Sequence, residues 1–368
     1  MAKTQTSQTE NNKDSSWFAK TGPYDDVILS TRVRLVRNLA DFPFPAKMSK
    51  DDFERIDSLV YDAFCQKEDY HFIKFNELSD PGKEILQDKN ILGDHPCTAV
   101  VLDHADESTA CLVNESDHLK LSTFTSGLDC EKAIEIIYKI DDFLQEKLQF
   151  AASFDFGYLT SHIKDCGSGM KITIRVSIPS IVLSGQFDTI VSLVREKKLQ
   201  IKPVFKPNEY DKADFANCIF DISTSNSAEG TEFDQMAVIQ AAGIFILKTE
   251  RKIRREFADN NSTVVLNFFK QNYAKALYSL LLTYEESVCI LSAVKWGLNI
   301  GLISGILDSE LNALYFRGKD GHIKYLCDNF TFSFEDDIKQ SENLQIKRLR
   351  TIVIQQAFEG IVNEKSVS

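Results

Sequence analysis

The sequence predicts an α+β region followed by an all-helical one, on three observations. Residues 27–35, VILSTRVRL, and 171–178, KITIRVSI, alternate apolar with polar side chains, the period of a strand that buries one face. Several stretches between and around them space their apolar residues as amphipathic helices do. Beyond 251–261, RKIRREFADNN, where charge and asparagine gather, only helical spacing recurs, which marks a boundary.

The elements follow in chain order. Residues 1–22 are rich in Gln, Thr, Ser, Asn, Asp and Lys and are predicted to form a disordered tail, having too little apolar surface to offset ordering. The strand at 27–35 puts Ser30, Arg32 and Arg34 on one face and Thr31, Val33 and Leu35 on the other; a solvated edge strand would read the same way. Ser49, with Asp52 three residues on, resembles a helix N-cap ahead of Phe53, Ile56, Leu59, Val60 and Phe64. Val100 to Val113 reads as paired strands around 104–107, and the polar cluster Asn114 to His118 then leads to Lys120. That cluster is either a surface turn or a site using its carboxylates and Lys120.

Asp129 is placed to cap a helix carrying Ala133, Ile136, Ile137, Ile140, Phe143, Leu144 and Leu148. Gly167-Ser168-Gly169, followed by Lys171, Thr173 and Arg175, is a tight turn whose amides and cations could face an anion, or an ordinary hairpin turn. Another amphipathic helix is predicted from Phe187 to Lys198. The polar stretch 203–217 is long for a connection, which favours a lid or substrate loop, and a strand is expected over 218–223. In the helical part, Leu277, Leu280 and Leu281 suit one helix, Val288, Leu291, Val294 and Leu298 a second ending before Gly301 and Gly305, and Gln345 to Phe358 a third.

Composition narrows the function. A chain of 368 residues with 43% hydrophobic content can bury a sizeable core. Its net charge of -12 argues against general binding to nucleic acid or a membrane surface, so any phosphate must be held locally. No apolar run is long enough to cross a bilayer and no secretory signal is visible, so a cytoplasmic location is expected. The eight cysteines form no CxxC pair and the six histidines no one-turn pair, so no structural metal is expected.

Several stretches in order resemble the ATP:guanido phosphotransferases, and most closely the bacterial protein-arginine kinases. They are LSTRVRLVRNLADFPFP at 29–45, NESDHLKL at 114–121, GYLTSHIKDCGSGMK at 157–171 and CIFDIS at 218–223, with a helical tail that includes YEESVCILSAVKWGLNIGLISGI at 284–306. The resemblance implies a mostly antiparallel sheet flanked by helices, the glutamine synthetase-like catalytic fold of guanido kinases. It also implies a catalytic-type domain over 23–250 and a helical C-terminal domain over 261–360, to which composition adds the disordered tail over 1–22 and a linker over 251–260.

The activity implied is transfer of the ATP γ-phosphoryl group, with Mg²⁺ carried on the nucleotide, to arginine side chains of proteins. Such chemistry needs cations around the triphosphate and carboxylates at the guanidinium. By resemblance, Ser30, Thr31, Arg32, Val33, Arg34, Lys120, Lys171, Ile172, Thr173, Ile174, Arg175 and Lys206 are expected to bind ATP, with Glu115, Asp211 and His162 on the catalytic side. Ser116 stands where the family motif has its second glutamate, His162 where it has the reactive cysteine, and Lys120 and Lys171 where it has arginines; lysine keeps the charge but not the planar fork. These exchanges carry an alternative expectation, an impaired kinase acting as a nucleotide- or phosphoarginine-binding adaptor in protein quality control. The partners implied are ATP, protein substrates or phosphoarginine proteins, a protease chaperone system and a second copy of the chain.

Overall fold

The computed structural model describes residues 16–93, 95–205, 218–228, 230–260 and 263–363. In chain order they form β1 (Ile28–Arg37), α1 (Lys50–Phe64), β2 (Tyr70–Lys74), α2 (Asp80–Asp88), β3 (Ala99–Asp103), β4 (Thr109–Val113), β5 (Leu119–Ser126) and α3 (Cys130–Gln145). A short hairpin, β6 (Ala152–Ser153) and β7 (Gly157–Tyr158), precedes β8 (Met170–Ser177), α4 (Pro179–Leu183), α5 (Phe187–Glu196), β9 (Leu199–Pro203) and β10 (Ile219–Thr224). The helical part holds α6 (Glu232–Asp259), α7 (Thr263–Tyr278), α8 (Tyr284–Asn299), β11 (Ile303–Ser304), α9 (Asp308–Arg317), α10 (Asp320–Asn329), α11 (Glu342–Phe358) and β12 (Val362–Asn363).

One antiparallel sheet in the order β2-β3-β4-β5-β1-β8-β10-β9 organises the molecule, in agreement with the expected fold class. Alternation fixes what each face carries. Val33, Leu35, Leu119, Leu121, Ile172, Ile174 and Ile222 point to one side, where they pack on α3 and α6 through Ile137, Leu144, Ile239 and Ile246. The other side presents the intervening polar residues. Near β3 and β4 it is covered by a second apolar cluster that includes Leu86 of α2, Val100 and Leu112.

Local signals act as read. Ser49 and Asp52 form a reciprocal capping box on α1, and the Asp129 side chain accepts from the Lys132 amide at the start of α3. Leu59, expected in the core, is 40% exposed because α1 buries only the stripe through Ile56, Val60 and Phe64. Leu280 and Leu281 fall beyond α7, which ends at Tyr278.

Two expectations at the boundaries are corrected. Of the predicted tail, residues 1–15 lie outside the described residues, but Trp17–Ala19 is a 3-10 turn with Trp17 and Phe18 buried. Trp17 stacks on Phe124 at 5.3 Å and Phe18 on Phe316 at 4.8 Å; two large rings side by side supply the apolar area that average composition hides. The expected linker 251–260 is largely the last turns of α6, whose Arg251 and Arg254 both bond Asp26.

The helical part is also tied to the sheet at other points. Buried Lys295 of α8 donates to the Asp25 carbonyl (2.6 Å) and pairs with Asp308 (2.9 Å), Trp296 donates to Ser180 (2.9 Å), and Lys324 of α10 pairs with Glu84 of α2 (2.8 Å).

Candidate active site

The polar face of the sheet gathers cations on neighbouring strands. Residues opposite one another in a ladder share a face, and here Arg32 lies opposite Thr173, Arg34 opposite Lys171, and Ser30 opposite Arg175. On the other flank of β1, Val36 lies opposite Lys120, so Lys120 joins the same side. Asp221 of β10 lies opposite Arg175 and binds its guanidinium through two bonds, 2.8 and 2.9 Å.

The electrostatics show what this face lacks. Burial and the adjacent Arg34 push Arg32 down to about 10, against the pull of Asp221. Burial and Arg34 likewise push the Lys171 ammonium down to about 8. Arg34 Nε is buried with no protein partner, and the hydrogen bond shown for Arg32 goes to the Asn90 carbonyl at 3.3 Å. Like charges therefore destabilise one another with too little carboxylate between them, the condition that a polyanion relieves.

The carboxylates are placed unequally. Glu115 is buried at the edge of the face, and both its oxygens accept from Lys120 at 2.8 Å. Burial opposes its ionisation, but Lys120 and the Ser116 bonds outweigh this and hold the carboxyl below its usual range. Burial and then Arg34 lower Lys120. Asp117 is structural, accepting from Asn38 (2.6 Å) and from the Ser161 amide (2.7 Å). His162 is exposed at the start of the 3-10 turn Ile163–Asp165, and its loop docks on 114–118 because Ser161 also donates to the Ser116 carbonyl at 2.7 Å.

The expected site residues thus divide. Ser30, Arg32, Arg34, Lys120, Lys171, Thr173 and Arg175 share the polar face. Thr31, Val33, Ile172 and Ile174 do not: their side chains face the core, and Thr31 donates to the Gly127 carbonyl. A contiguous motif on a strand can offer a ligand only every second side chain, which corrects their assignment. Lys206, Asp211 and the expected substrate loop from residue 206 to 217 lie outside the described residues.

The glycine turn is held from below by groups the sequence reading missed. Buried Arg37 binds Asp141 of α3 through two bonds (3.0 and 2.8 Å), donates to the Ser168 carbonyl (2.9 Å) and lies 3.6 Å from the centre of the Tyr158 ring. Gly169 has φ +64, and a Cβ there would stand 2.7 Å from Arg37 Nη1, so glycine is required. Continuing the alternation through LVR to Arg37 would have flagged an arginine on the buried side of β1.

Depressed Lys171 gives a pH dependence. Below about pH 8 the ammonium is charged whether or not a polyanion is bound; above it the free protein loses the proton and binding must take one up. Nucleotide affinity should therefore fall as pH rises from about 8 toward the ordinary lysine range, by up to about tenfold per unit. Lys171→Arg, charged throughout, should flatten the profile in a calorimetric titration.

Comparison with known proteins follows the same lines. The model of the ATP:guanido phosphotransferase C-terminal catalytic domain matches residues 53–253. A protein-arginine kinase of Halothermothrix orenii is 27% identical over 92% of this chain and 97% of its own, and one of Pelotomaculum thermopropionicum 28% identical over 90% and 95%. The duplicated taurocyamine kinase of Schistosoma mansoni, solved with bound transition state analog components, superposes with TM-score 0.55 at 18% identity over 63% of this chain and 34% of that one, so the chain spans about a third of it. Lombricine kinase gives TM-score 0.54 at 13% identity over 63% and 68%. At such identities the two structures speak to the fold. Among the described residues no group of three or more His, Cys, Asp or Glu could hold a metal ion, and no helix is long and apolar enough to cross a membrane.

Proposed function

Since the chain belongs to the ATP:guanido phosphotransferase family, we propose that it is a protein-arginine kinase, transferring the γ-phosphoryl group of Mg-ATP to arginine side chains of proteins. The observation that carries this reading is the cation row of Arg32, Arg34 and Lys171 on adjacent strands, with Lys120 beside it.

In this reading the row holds the triphosphate, while Mg²⁺ arrives with the nucleotide. The bond from the γ-phosphorus to the ADP oxygen breaks, a phosphorus–nitrogen bond forms, and a guanidinium proton passes to a carboxylate. Glu115 is the carboxylate at hand: phosphate that draws Lys120 away leaves it open to a guanidinium. His162 and its loop border the acceptor side, and Asp211 and Lys206 are proposed to complete the acceptor and phosphate sides. The reading carries with it a cytoplasmic location and protein partners handled with a protease chaperone. The adaptor alternative rests on the exchanges at Ser116, Lys120, His162 and Lys171, and the relatives lend it no support.

Incubation with γ-labelled Mg-ATP and an arginine-rich protein should give acid-labile label on the protein. Acid-stable label, or none where a protein-arginine kinase relative labels the same substrate, would overturn the proposal.

A further inference from the structure

Ser116 stands where the family motif has a glutamate, and Asp165 stands where a second motif has an uncharged asparagine. The two loops are bonded together: Ser161 donates through its hydroxyl to the Ser116 carbonyl and through its amide to Asp117, both at 2.7 Å. The acid absent from one side of this contact is thus present on the other.

The turn that carries Asp165 is held on both sides. Asp165 closes the 3-10 turn Ile163–Asp165, its amide donating to the His162 carbonyl at 2.9 Å. The Ser227 amide donates to the Lys164 carbonyl (2.9 Å), and just beyond, Gly167 and Tyr158 exchange two backbone bonds (3.2 and 2.9 Å). A carboxylate on backbone fixed in this way is preorganised for a ligand.

Its oxygens are also free to take one. Near the cation row, Glu115 gives both oxygens to Lys120, Asp221 gives both to Arg175, and Asp117 receives Asn38 and Ser161. No described residue donates a hydrogen bond to the half-buried Asp165 carboxylate. Its charge reaches the row nonetheless: burial and Arg34 lower the Lys171 ammonium, and Asp165 opposes them. Arg34 acts on Lys120 as well. Glu115 and Asp165 therefore flank Arg34, one by way of the lysine on β5 and the other by way of the lysine on β8.

We infer that Asp165 is an acceptor-binding residue, whose carboxylate holds the guanidinium of the substrate arginine against the phosphates on Arg34 and Lys171. The inference rests on the arginine-kinase reading above and adds a second carboxylate to Glu115, matching a guanidinium that offers N–H donors on more than one edge. The transfer keeps its balance. The bond from the γ-phosphorus to the ADP oxygen breaks, the phosphorus–nitrogen bond forms and the proton leaves for Glu115, while Asp165 accepts N–H bonds from nitrogens that do not react. A lysine ammonium has no planar fork to span two flanking carboxylates, so the pair selects arginine.

The test uses Asp165→Asn, which restores the motif's amide at nearly constant size, on the full chain with an arginine-rich protein as acceptor. The KM for the acceptor should rise about ten- to a hundred-fold, the range for loss of a charge-assisted contact. Mg-ATP affinity, read at about pH 7 where the parent's Lys171 is charged, should change far less. Asp165→Glu should recover most of the acceptor affinity. An unchanged acceptor KM in Asp165→Asn would overturn the inference. So would a loss confined to Mg-ATP, since Asp165 would then act only by sustaining the charge on Lys171. Calorimetry of an arginine peptide on the chain with Mg-ADP reads the same contact without turnover, and there Asp165→Asn should weaken binding about tenfold or more. A parent chain that phosphorylates no arginine would overturn the kinase reading; if it also bound no arginine peptide, the inference would fall with it.

Discussion

Replacing Arg34 by alanine should weaken Mg-ATP about ten- to a hundred-fold and leave the folded protein no less stable. The first effect follows from the loss of charge-assisted hydrogen bonds to phosphate, each worth about 1.5–3 kcal/mol. The second follows from its surroundings. Arg34 Nε has no protein partner, and its charge depresses Arg32, Lys120 and Lys171, so removing it relieves repulsion. A purely structural arginine would give the opposite pair of results, lower stability with affinity little changed. Nucleotide titration and urea unfolding of the same variant separate the two cases.

Asp141→Ala should destabilise the protein by about 3–5 kcal/mol, because it leaves the Arg37 guanidinium buried without its carboxylate. Arg37→Met with Asp141→Leu removes both charges and should recover much of that stability. The double variant still loses the tether from Arg37 to the Ser168 carbonyl, and with it the support of the turn that leads to Lys171. Recovered stability with persistently weak nucleotide binding would mark the pair as positioning residues. Full recovery of binding would show that the turn holds its shape without them.

How much of this was legible follows from the range of each interaction. Ser49 with Asp52 and Asp129 with Lys132 act over three residues, and their caps could be read directly. The two-residue period placed Arg32 and Arg34 together, and the same period should have excluded Thr31, Val33, Ile172 and Ile174. Arg37 meets Asp141 across 104 positions and Lys319 reaches Asp88 across 231; no local pattern announces such pairs. Trp17 and Phe18 were hidden by averaging, since their polar neighbours outnumber them in a window the length of the tail. The α6 helix hid the reverse way: its charged last turns look like a linker until Asp26 is seen to hold Arg251 and Arg254.

Phosphorus-31 spectroscopy of an arginine-rich protein after incubation with the chain and Mg-ATP tests the central claim most directly. A phosphorus–nitrogen signal on arginine that, at limiting Mg-ATP, falls at least about tenfold with Arg34→Ala is the expected result. No such signal from the parent chain, under conditions where a protein-arginine kinase relative produces it, would contradict the account.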